Sequence, residues 1–154
     1  MTNQIESDYH TILGQISALT FNEKDIIANM ANISAVLFNS LEEVNWAGFY
    51  LLKDDQLVLG PFQGQPACIR IPMGKGVCGS AAEARKTLVI EDVHQFEGHI
   101  ACDSASNSEI VIPIIKNDQL IGVLDIDSPL FSRFSNNDAV NLNKVVDILV
   151  NGME

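Results

Sequence analysis

The chain has 154 residues and a formal net charge of −11, from 20 acidic and 9 basic side chains. This length fits one domain over residues 1–154, and 47% hydrophobic with 19% charged residues argues against disorder. The negative charge disfavours nucleic acid and anionic membranes, because both are polyanions. The sequence has no run of about 18 apolar residues and no signal-peptide pattern, so we expect a cytoplasmic protein.

Two amphipathic helices are predicted first, because apolar residues recur at helical spacing over residues 5–20 and from Ile26 to Leu41. Asn22 is the candidate N-cap of the second helix, and Ile27 is expected on its inner face. The next predicted elements are a strand at 45–52, a hairpin turn at 53–56, a strand at 57–62, a short strand at 68–71, a helix at 76–85 and a strand at 87–90.

The rest of the chain holds one aperiodic segment followed by three regular elements. Residues 91–108 have no period, and a loop of this length is usually functional. Strands are predicted at 109–116 and 119–127, and a final helix from about residue 136 to 150. Helices at both ends, around five or six strands joined mostly by hairpins, predict an α+β domain with an antiparallel sheet. We expect the terminal helices on one face and a ligand pocket on the other.

The side chains that carry chemistry lie in the second half of the sequence. All three cysteines, Cys68, Cys78 and Cys102, fall within residues 68–102. Three thiols in a reducing cytosol are not a structural disulfide framework, although any one of them could be a small buried hydrophobe. Carboxylates follow in apolar strand sequence. A thiol supplies a nucleophile and an acid supplies a proton, so the combination suggests redox chemistry on a small polar molecule.

Two of these carboxylates, Asp125 and Asp127, stand two residues apart and so share one strand face with Ile121 and Val123. Burying an unpaired carboxylate is costly and raises its pKa, which favours a functional reason for the pair. The alternative is that the strand ends in solvent, with Asp127 capping the following Ser-Pro turn.

Whether Glu109 joins this pair depends on the hairpin loop. A two-residue turn at 117–118 would pair Ile110 with Asp125 and send Glu109 to the opposite face. A three-residue loop at 116–118 would pair Glu109 directly with Asp125. We favour the three-residue loop, because the other buries Glu109 against the helices without a partner. The resulting acid cluster could hold an ammonium group and would raise at least one carboxyl pKa.

Trp46, Gly48 and Tyr50 alternate along the first strand and share a face. The glycine leaves either a slot with aromatic walls or a close backbone contact, and the strand alone does not decide between them. His94 and His99 near Cys102 raise the question of a metal. Their spacings match no zinc motif, so no metal is predicted.

Five segments together resemble one family: Asn45–Tyr50 (NWAGFY), Gly60–Cys68, Ile71–Cys78, Ser108–Pro113 and Gly122–Pro129 (GVLDIDSP). The chain resembles the free methionine-(R)-sulfoxide reductases, single GAF domains that reduce the amino acid but not the peptide-bound residue. The resemblance runs from residue 20 to 150, and the cysteine spacing makes it more specific than a match to GAF domains in general.

The resemblance implies a GAF domain over residues 1–154 with a six-stranded sheet. It implies Cys102 as the nucleophile, Cys68 as the resolving thiol and Cys78 as a candidate second resolver. Cys68 and Cys102 should then have Cα atoms under about 7 Å apart when oxidised. The expected substrate contacts are the acids Glu109, Asp125 and Asp127 and the aromatic walls Trp46 and Tyr50. Free methionine sulfoxide as substrate, thioredoxin as the external reductant without a cofactor, and a homodimer are implied in the same way.

The expected chemistry follows from the residue types. A thiolate attacks the sulfoxide sulfur, an acid protonates the leaving oxygen, and the resulting sulfenic acid condenses with a second thiol. The alternative is a GAF module that senses a nucleotide or metabolite without turnover. That alternative would explain the pocket but not the three thiols.

Overall fold

A six-stranded antiparallel sheet forms the centre of the molecule, in a computed structural model that describes residues 5–100, 102 and 104–153. The strands are β1 (Trp46–Lys53), β2 (Gln56–Gly64), β3 (Arg70–Pro72), β4 (Leu88–Ile90), β5 (Ser108–Lys116) and β6 (Gln119–Ser128). Their order across the sheet is β3-β2-β1-β6-β5-β4, so β1 and β6 are the central strands. The α+β class and the antiparallel sheet are confirmed.

Helices cover both faces of the sheet unequally. They are α1 (Tyr9–Thr20), α2 (Ile26–Ser40), α3 (Gly76–Ala84) and α4 (Asn136–Gly152), with a 3₁₀ turn at Val93–Gln95. The terminal helices α1, α2 and α4 bury their apolar stripes against one face of the sheet. The short helix α3 packs on the opposite face, against β3, β5 and β6, as part of a smaller apolar cluster. The predicted division into a helix face and a pocket face is therefore correct.

Strand β1 shows how alternation separates the two faces. Ala47 and Phe49 pack with the terminal helices, whereas Trp46 and Tyr50 pack on the pocket face. All four side chains are buried, and each large one contributes roughly 1.5–3 kcal/mol when removed from water. Strand β1 is thus fixed from both sides, which gives the pocket face a rigid floor.

Gly48 allows a close backbone approach and does not leave an open slot. The β1–β2 pairing contains a bulge beside Gly48, and a Cβ atom there would lie 2.2 Å from the Cβ of Phe62. The Phe62 ring fills the space, with its centroid 5.1 Å from that of Trp46. Of the two alternatives left open by the sequence, the close contact is the correct one.

Three predictions about the N-terminal helices are wrong. Helix α1 begins at Tyr9, not residue 5, because the Asp8 side chain caps its first turn. Helix α2 is capped by Asp25, which accepts a hydrogen bond from the Ala28 N–H, and not by Asn22. Asn22 instead adopts a left-handed turn conformation with φ of 58°. Ile27, predicted to face inward, is 49% exposed in the first turn of α2.

The β5–β6 hairpin differs from the predicted one but gives the same side-chain faces for the acids. Its turn has two residues, Asn117 and Asp118, both with positive φ, so the prediction of a three-residue loop is wrong. A bulge then leaves Ile121 unmatched and turns it toward the terminal helices instead of the pocket. The bulge restores the parity of the strands, and Glu109 lies directly opposite Asp127 and not Asp125.

Candidate active site

Seven of the eight predicted site residues line one pocket on the face of the sheet that carries α3. They are Trp46, Tyr50, Cys78, Cys102, Glu109, Asp125 and Asp127. Strands β1, β5 and β6 supply the floor, and helix α3 and the 91–108 segment supply the walls and roof. The free cavity is about 40 Å³, enough for one or two water molecules. The eighth residue, Cys68, lies just outside the lining.

Cys68 and Cys102 form a disulfide whose Cα atoms are 5.3 Å apart. This distance lies in the ordinary range for disulfides and within the predicted limit. Cys68 precedes β3, which begins at Arg70, so the strand predicted at 68–71 starts two residues later. The disulfide therefore ties the 91–108 segment across the pocket mouth to the segment between β2 and β3. Cys78, the third cysteine, is a buried free thiol.

The aromatic walls also hold the segment that carries Cys68. The Tyr50 hydroxyl donates a hydrogen bond of 2.9 Å to the Cys68 carbonyl. The indole N–H of Trp46 donates one of 3.1 Å to the Gln65 carbonyl. These two side chains therefore do two things at once. They line the pocket, and they fix the backbone of one disulfide partner against the floor of the sheet.

The three acids form one buried cluster at the centre of the pocket. Glu109, Asp125 and Asp127 are each more than nine-tenths buried. Burial raises the pKa of Glu109 well above its ordinary value of 4.5, and the neighbouring charges of Asp125 and Asp127 raise it further. Burial also raises the pKa of Asp125, but hydrogen bonds from Glu109, Cys78 and Asp127 oppose that rise. Glu109 therefore keeps its proton more firmly than Asp125.

Asp125 points into the cavity with unused hydrogen-bonding capacity. Its Oδ1 atom is buried and has no hydrogen-bond partner among the residues that the structure describes. A buried carboxylate oxygen without a partner costs free energy, and a donor from a ligand would recover it. The pocket floor is thus suited to a small molecule that brings its own N–H or O–H donors.

Cys78 lies beside the acids on helix α3. Its Sγ atom is 3.9 Å from a Glu109 carboxyl oxygen. Burial raises the pKa of this thiol well above its ordinary value, and the charges of Asp125 and Glu109 add to that effect. Cys78 therefore remains a protonated thiol at neutral pH. One donor atom each from Cys78, Glu109 and Asp125 lie within 4.8 Å of one another, so these three groups could ligate a metal ion.

Two of the remaining lining residues carry polar side chains, His99 and Ser106, and the sequence assigned neither of them to the pocket. Burial lowers the pKa of His99, and the nearby His94 lowers it further, so its imidazole is neutral at pH 7. The Ser106 hydroxyl accepts a hydrogen bond of 3.1 Å from the Asn45 amide. Both residues lie in the aperiodic 91–108 segment. The length of this segment indicated a functional loop. Because the segment has no periodic pattern, the sequence did not show which of its residues enter the pocket.

Comparison with known families agrees with this architecture. A family model described as GAF domain matches residues 28–153, which is most of the chain. The fold and the pocket on the α3 face therefore define a GAF domain. Within the described part of the chain, no helix combines the length and the apolar character needed to cross a membrane.

Similar proteins narrow the class further. The free methionine-R-sulfoxide reductase of Escherichia coli is 54% identical over 138 residues, covering 90% of this chain and 84% of the relative. The structure of fRMsr of Staphylococcus aureus in its reduced form superposes with a TM-score of 0.96 at 50% identity, and each chain covers 100% of the other. The free methionine-R-sulfoxide reductase of Neisseria meningitidis in complex with its substrate gives a TM-score of 0.91 at 42% identity, covering 99% of this chain and 94% of the other.

This chain belongs to the free methionine-R-sulfoxide reductases, a family of enzymes. The family indicated by the sequence resemblance is confirmed, as is the prediction of an enzyme. The roles of individual residues stay predictions.

Proposed function

We propose that the chain reduces free L-methionine (R)-sulfoxide to L-methionine, using two of its own thiols as the source of electrons. The observation that carries this proposal is the Cys68–Cys102 disulfide at the mouth of a pocket floored by three buried acids. A thiol pair beside a proton source is what sulfoxide reduction requires. Similar proteins are named for this reaction, which supports the substrate assignment.

The reaction proceeds in three stages. The Cys102 thiolate attacks the sulfoxide sulfur while a carboxylic acid protonates its oxygen, and the S–O bond breaks as water leaves. A water molecule then attacks the Cys102 sulfur, the bond between the two sulfurs breaks, methionine leaves and Cys102 becomes a sulfenic acid. The Cys68 thiol then attacks the Cys102 sulfur, water leaves and the disulfide forms. An external dithiol, for which we propose thioredoxin, returns both cysteines to thiols and leaves as a disulfide. Both electrons come from thiols, so the cycle needs no cofactor.

Glu109 is the proposed proton donor, and Asp125 the proposed partner of the substrate ammonium. The order of proton loss within the cluster supports this division, because Glu109 retains its proton more firmly than Asp125. Asp127 lies directly across the strands from Glu109, and we assign it to both binding and proton transfer. A protonated Glu109 can donate to the sulfoxide oxygen, whereas an ionised Asp125 can accept from an ammonium.

Trp46 and Tyr50 are the proposed walls around the methyl-sulfur end of the substrate. Their ring centroids are 5.9 Å apart, and both rings are buried on the pocket face. Aromatic faces make favourable contacts with thioether sulfur and exclude water from the reacting centre. Exclusion of water strengthens each charge interaction in the acid cluster.

The test is a single turnover with reduced protein, excess substrate and no external reductant. The wild type should release one equivalent of methionine and form the Cys68–Cys102 disulfide. Cys102→Ser should release none, because the proposal gives the attack on sulfur to this thiol. Cys68→Ser should release one equivalent and retain a sulfenic acid on Cys102, detectable by mass spectrometry after trapping. Methionine release by Cys102→Ser would contradict the assignment of the nucleophile.

Cys78→Ser provides the matched control for loss of a thiol. Its single turnover should yield both methionine and the Cys68–Cys102 disulfide. If Cys78 acts as the second resolver, peptide mapping of Cys68→Ser should show a slow Cys78–Cys102 disulfide after the first turnover. The (S) diastereomer should remain unreduced in the same assay, measured by chiral chromatography. The homodimer and the cytoplasmic location stay predictions.

A further inference from the structure

An isoleucine next to the disulfide is unusually exposed. Ile69 follows Cys68 directly and presents 67% of its surface to solvent. Its backbone is not free to turn the side chain inward. The Ile69 carbonyl accepts a hydrogen bond of 2.8 Å from the Leu59 N–H, and the Cys68 carbonyl accepts one from Tyr50. The fold therefore holds an apolar side chain in water beside a reactive bond.

The disulfide cannot be reduced from within the chain. Cys78 is the one cysteine outside the disulfide, and it is a buried, protonated thiol. A single thiol also cannot convert a disulfide into two thiols. A protein reductant cannot enter the pocket, because the free volume there is only about 40 Å³. A protein reductant must therefore reach the disulfide from the outer surface.

Both cysteines of the disulfide are half-buried, but they differ in their relation to the pocket. Cys102 lines the pocket, whereas Cys68 does not. Residues 63–66, ahead of Cys68, are exposed, as are Ile69 and Arg70 after it. An approaching thiol meets the Cys68 side of the disulfide on an open, fixed stretch of chain, with the Ile69 side chain next to it.

We propose that Ile69 is the apolar docking residue for the dithiol protein that reduces this chain, and that this protein attacks Cys68. The proposal rests on the proposed function and adds the surface that its reductant uses. The reductant thiolate attacks the Cys68 Sγ, the S–S bond breaks, and its electron pair passes to the Cys102 Sγ, which takes up a proton. The second reductant thiol then displaces Cys68 from the mixed disulfide, and the reductant leaves oxidised.

The test uses protein whose disulfide has been formed in advance with one equivalent of hydrogen peroxide, mixed with reduced thioredoxin. Ile69→Ser should slow the reduction about tenfold, because burying one isoleucine is worth at least that factor in binding. Ile27→Ser is the matched control, since Ile27 is exposed on α2 and belongs to the opposite side of the sheet. It should react at the wild-type rate. Reduction by dithiothreitol should be the same for all three proteins.

The outcomes separate docking from catalysis. Equal thioredoxin rates for wild type and Ile69→Ser would overturn the docking role, and an equal loss with dithiothreitol would show a structural effect instead. Thioredoxin whose second active-site cysteine is replaced by serine should remain attached to the Cys68 peptide, and attachment to Cys102 would overturn the order of attack. None of these measurements uses methionine sulfoxide, so a failure of the proposed substrate would appear separately, in the single-turnover assay.

Discussion

The proposed contact between Asp125 and the substrate ammonium can be isolated by combining one substitution with one change of substrate. Asp125→Asn removes the charge with little change in shape, and N-acetylation of methionine sulfoxide removes the ammonium. Either change alone has side effects, because the acetyl group, for example, also adds bulk to the substrate. Measuring kcat/KM for both proteins with both substrates cancels these side effects and leaves the interaction between the two charges.

The size of this interaction follows from the burial of the site. Asp125 is 5% exposed, and its Oδ1 atom lacks a hydrogen-bond partner among the described residues. A charge-assisted hydrogen bond in such a place is worth about 1.5–3 kcal/mol. The ratio of kcat/KM for the free substrate to kcat/KM for the N-acetylated substrate should therefore be about 10- to 100-fold larger in the wild type than in Asp125→Asn. The steric part of the preference should remain in both proteins.

The assay is methionine formation from each substrate with dithiothreitol as reductant, so that thioredoxin docking does not enter. Asp147→Asn is the matched control, since it makes the same charge change at an exposed position on α4. It should keep the wild-type preference. If Asp125→Asn lowers kcat/KM by the same factor for both substrates, the two changes act independently, and this result would refute the contact. Equal kcat/KM for the two substrates in the wild type would refute the enclosed acidic pocket as a whole.

Three further predictions follow from the buried groups. The folded protein keeps the Glu109 proton above its ordinary pKa of 4.5, whereas the unfolded chain loses it, so stability should fall by about 1.4 kcal/mol per pH unit from 4.5 up to the raised pKa. Urea unfolding between pH 5 and 7 should show this slope reduced in Glu109→Gln, and parallel curves would argue against a retained proton. The single-turnover rate should decline as pH rises through the pKa of Glu109, a decline that Glu109→Gln should lack at its lower overall rate. Gly48→Ala should destabilise the fold by about 1–3 kcal/mol in urea, because its Cβ would meet Phe62, and an unchanged midpoint would mean that the bulge relaxes freely.

Much of the fold could be predicted because its helices and strands have clear periods. The 3.6-residue repeat located α1, α2 and α4, and alternation separated the two faces of β1 correctly. The error in the N-cap of α2 arose because two nearby side chains can both fill that position. Asn22 and Asp25 are both good N-caps, and only the packed structure determines which of them starts α2.

The acid cluster was predictable in composition but not in register. The spacing of Asp125 and Asp127 places them on one face of any strand. The face of Glu109 depends on the loop length, and a two-residue turn at Asn117–Asp118 combined with a bulge at Ile121 gives the same parity as a three-residue loop. Hydrophobic pattern does not encode a bulge, because the unmatched residue here is as apolar as its neighbours. The face was therefore right, but the partner of Glu109 was wrong.

The cysteine roles came from the resemblance and not from the residues alone. Spacing along the chain says nothing about which thiols meet, since Cys68 and Cys102 are separated by 34 positions and a long loop. The same limit applies to His99 and Ser106, which the 91–108 segment brings to the pocket without any periodic signal.

The acid cluster links the choice of substrate to the chemistry. Three carboxyl groups this close and this buried cannot all ionise, so the cluster retains protons that separate carboxyl groups would lose in neutral water. In the proposed mechanism, a substrate ammonium beside Asp125 stabilises its ionised form, while Glu109 keeps a proton next to the sulfoxide oxygen. A peptide-bound methionine sulfoxide brings no such cation, and Asp125 would then face it either as an uncompensated charge or as a second neutral acid. We therefore propose that the ammonium contributes to catalysis as well as to binding, because it sets the proton distribution on which the first step depends.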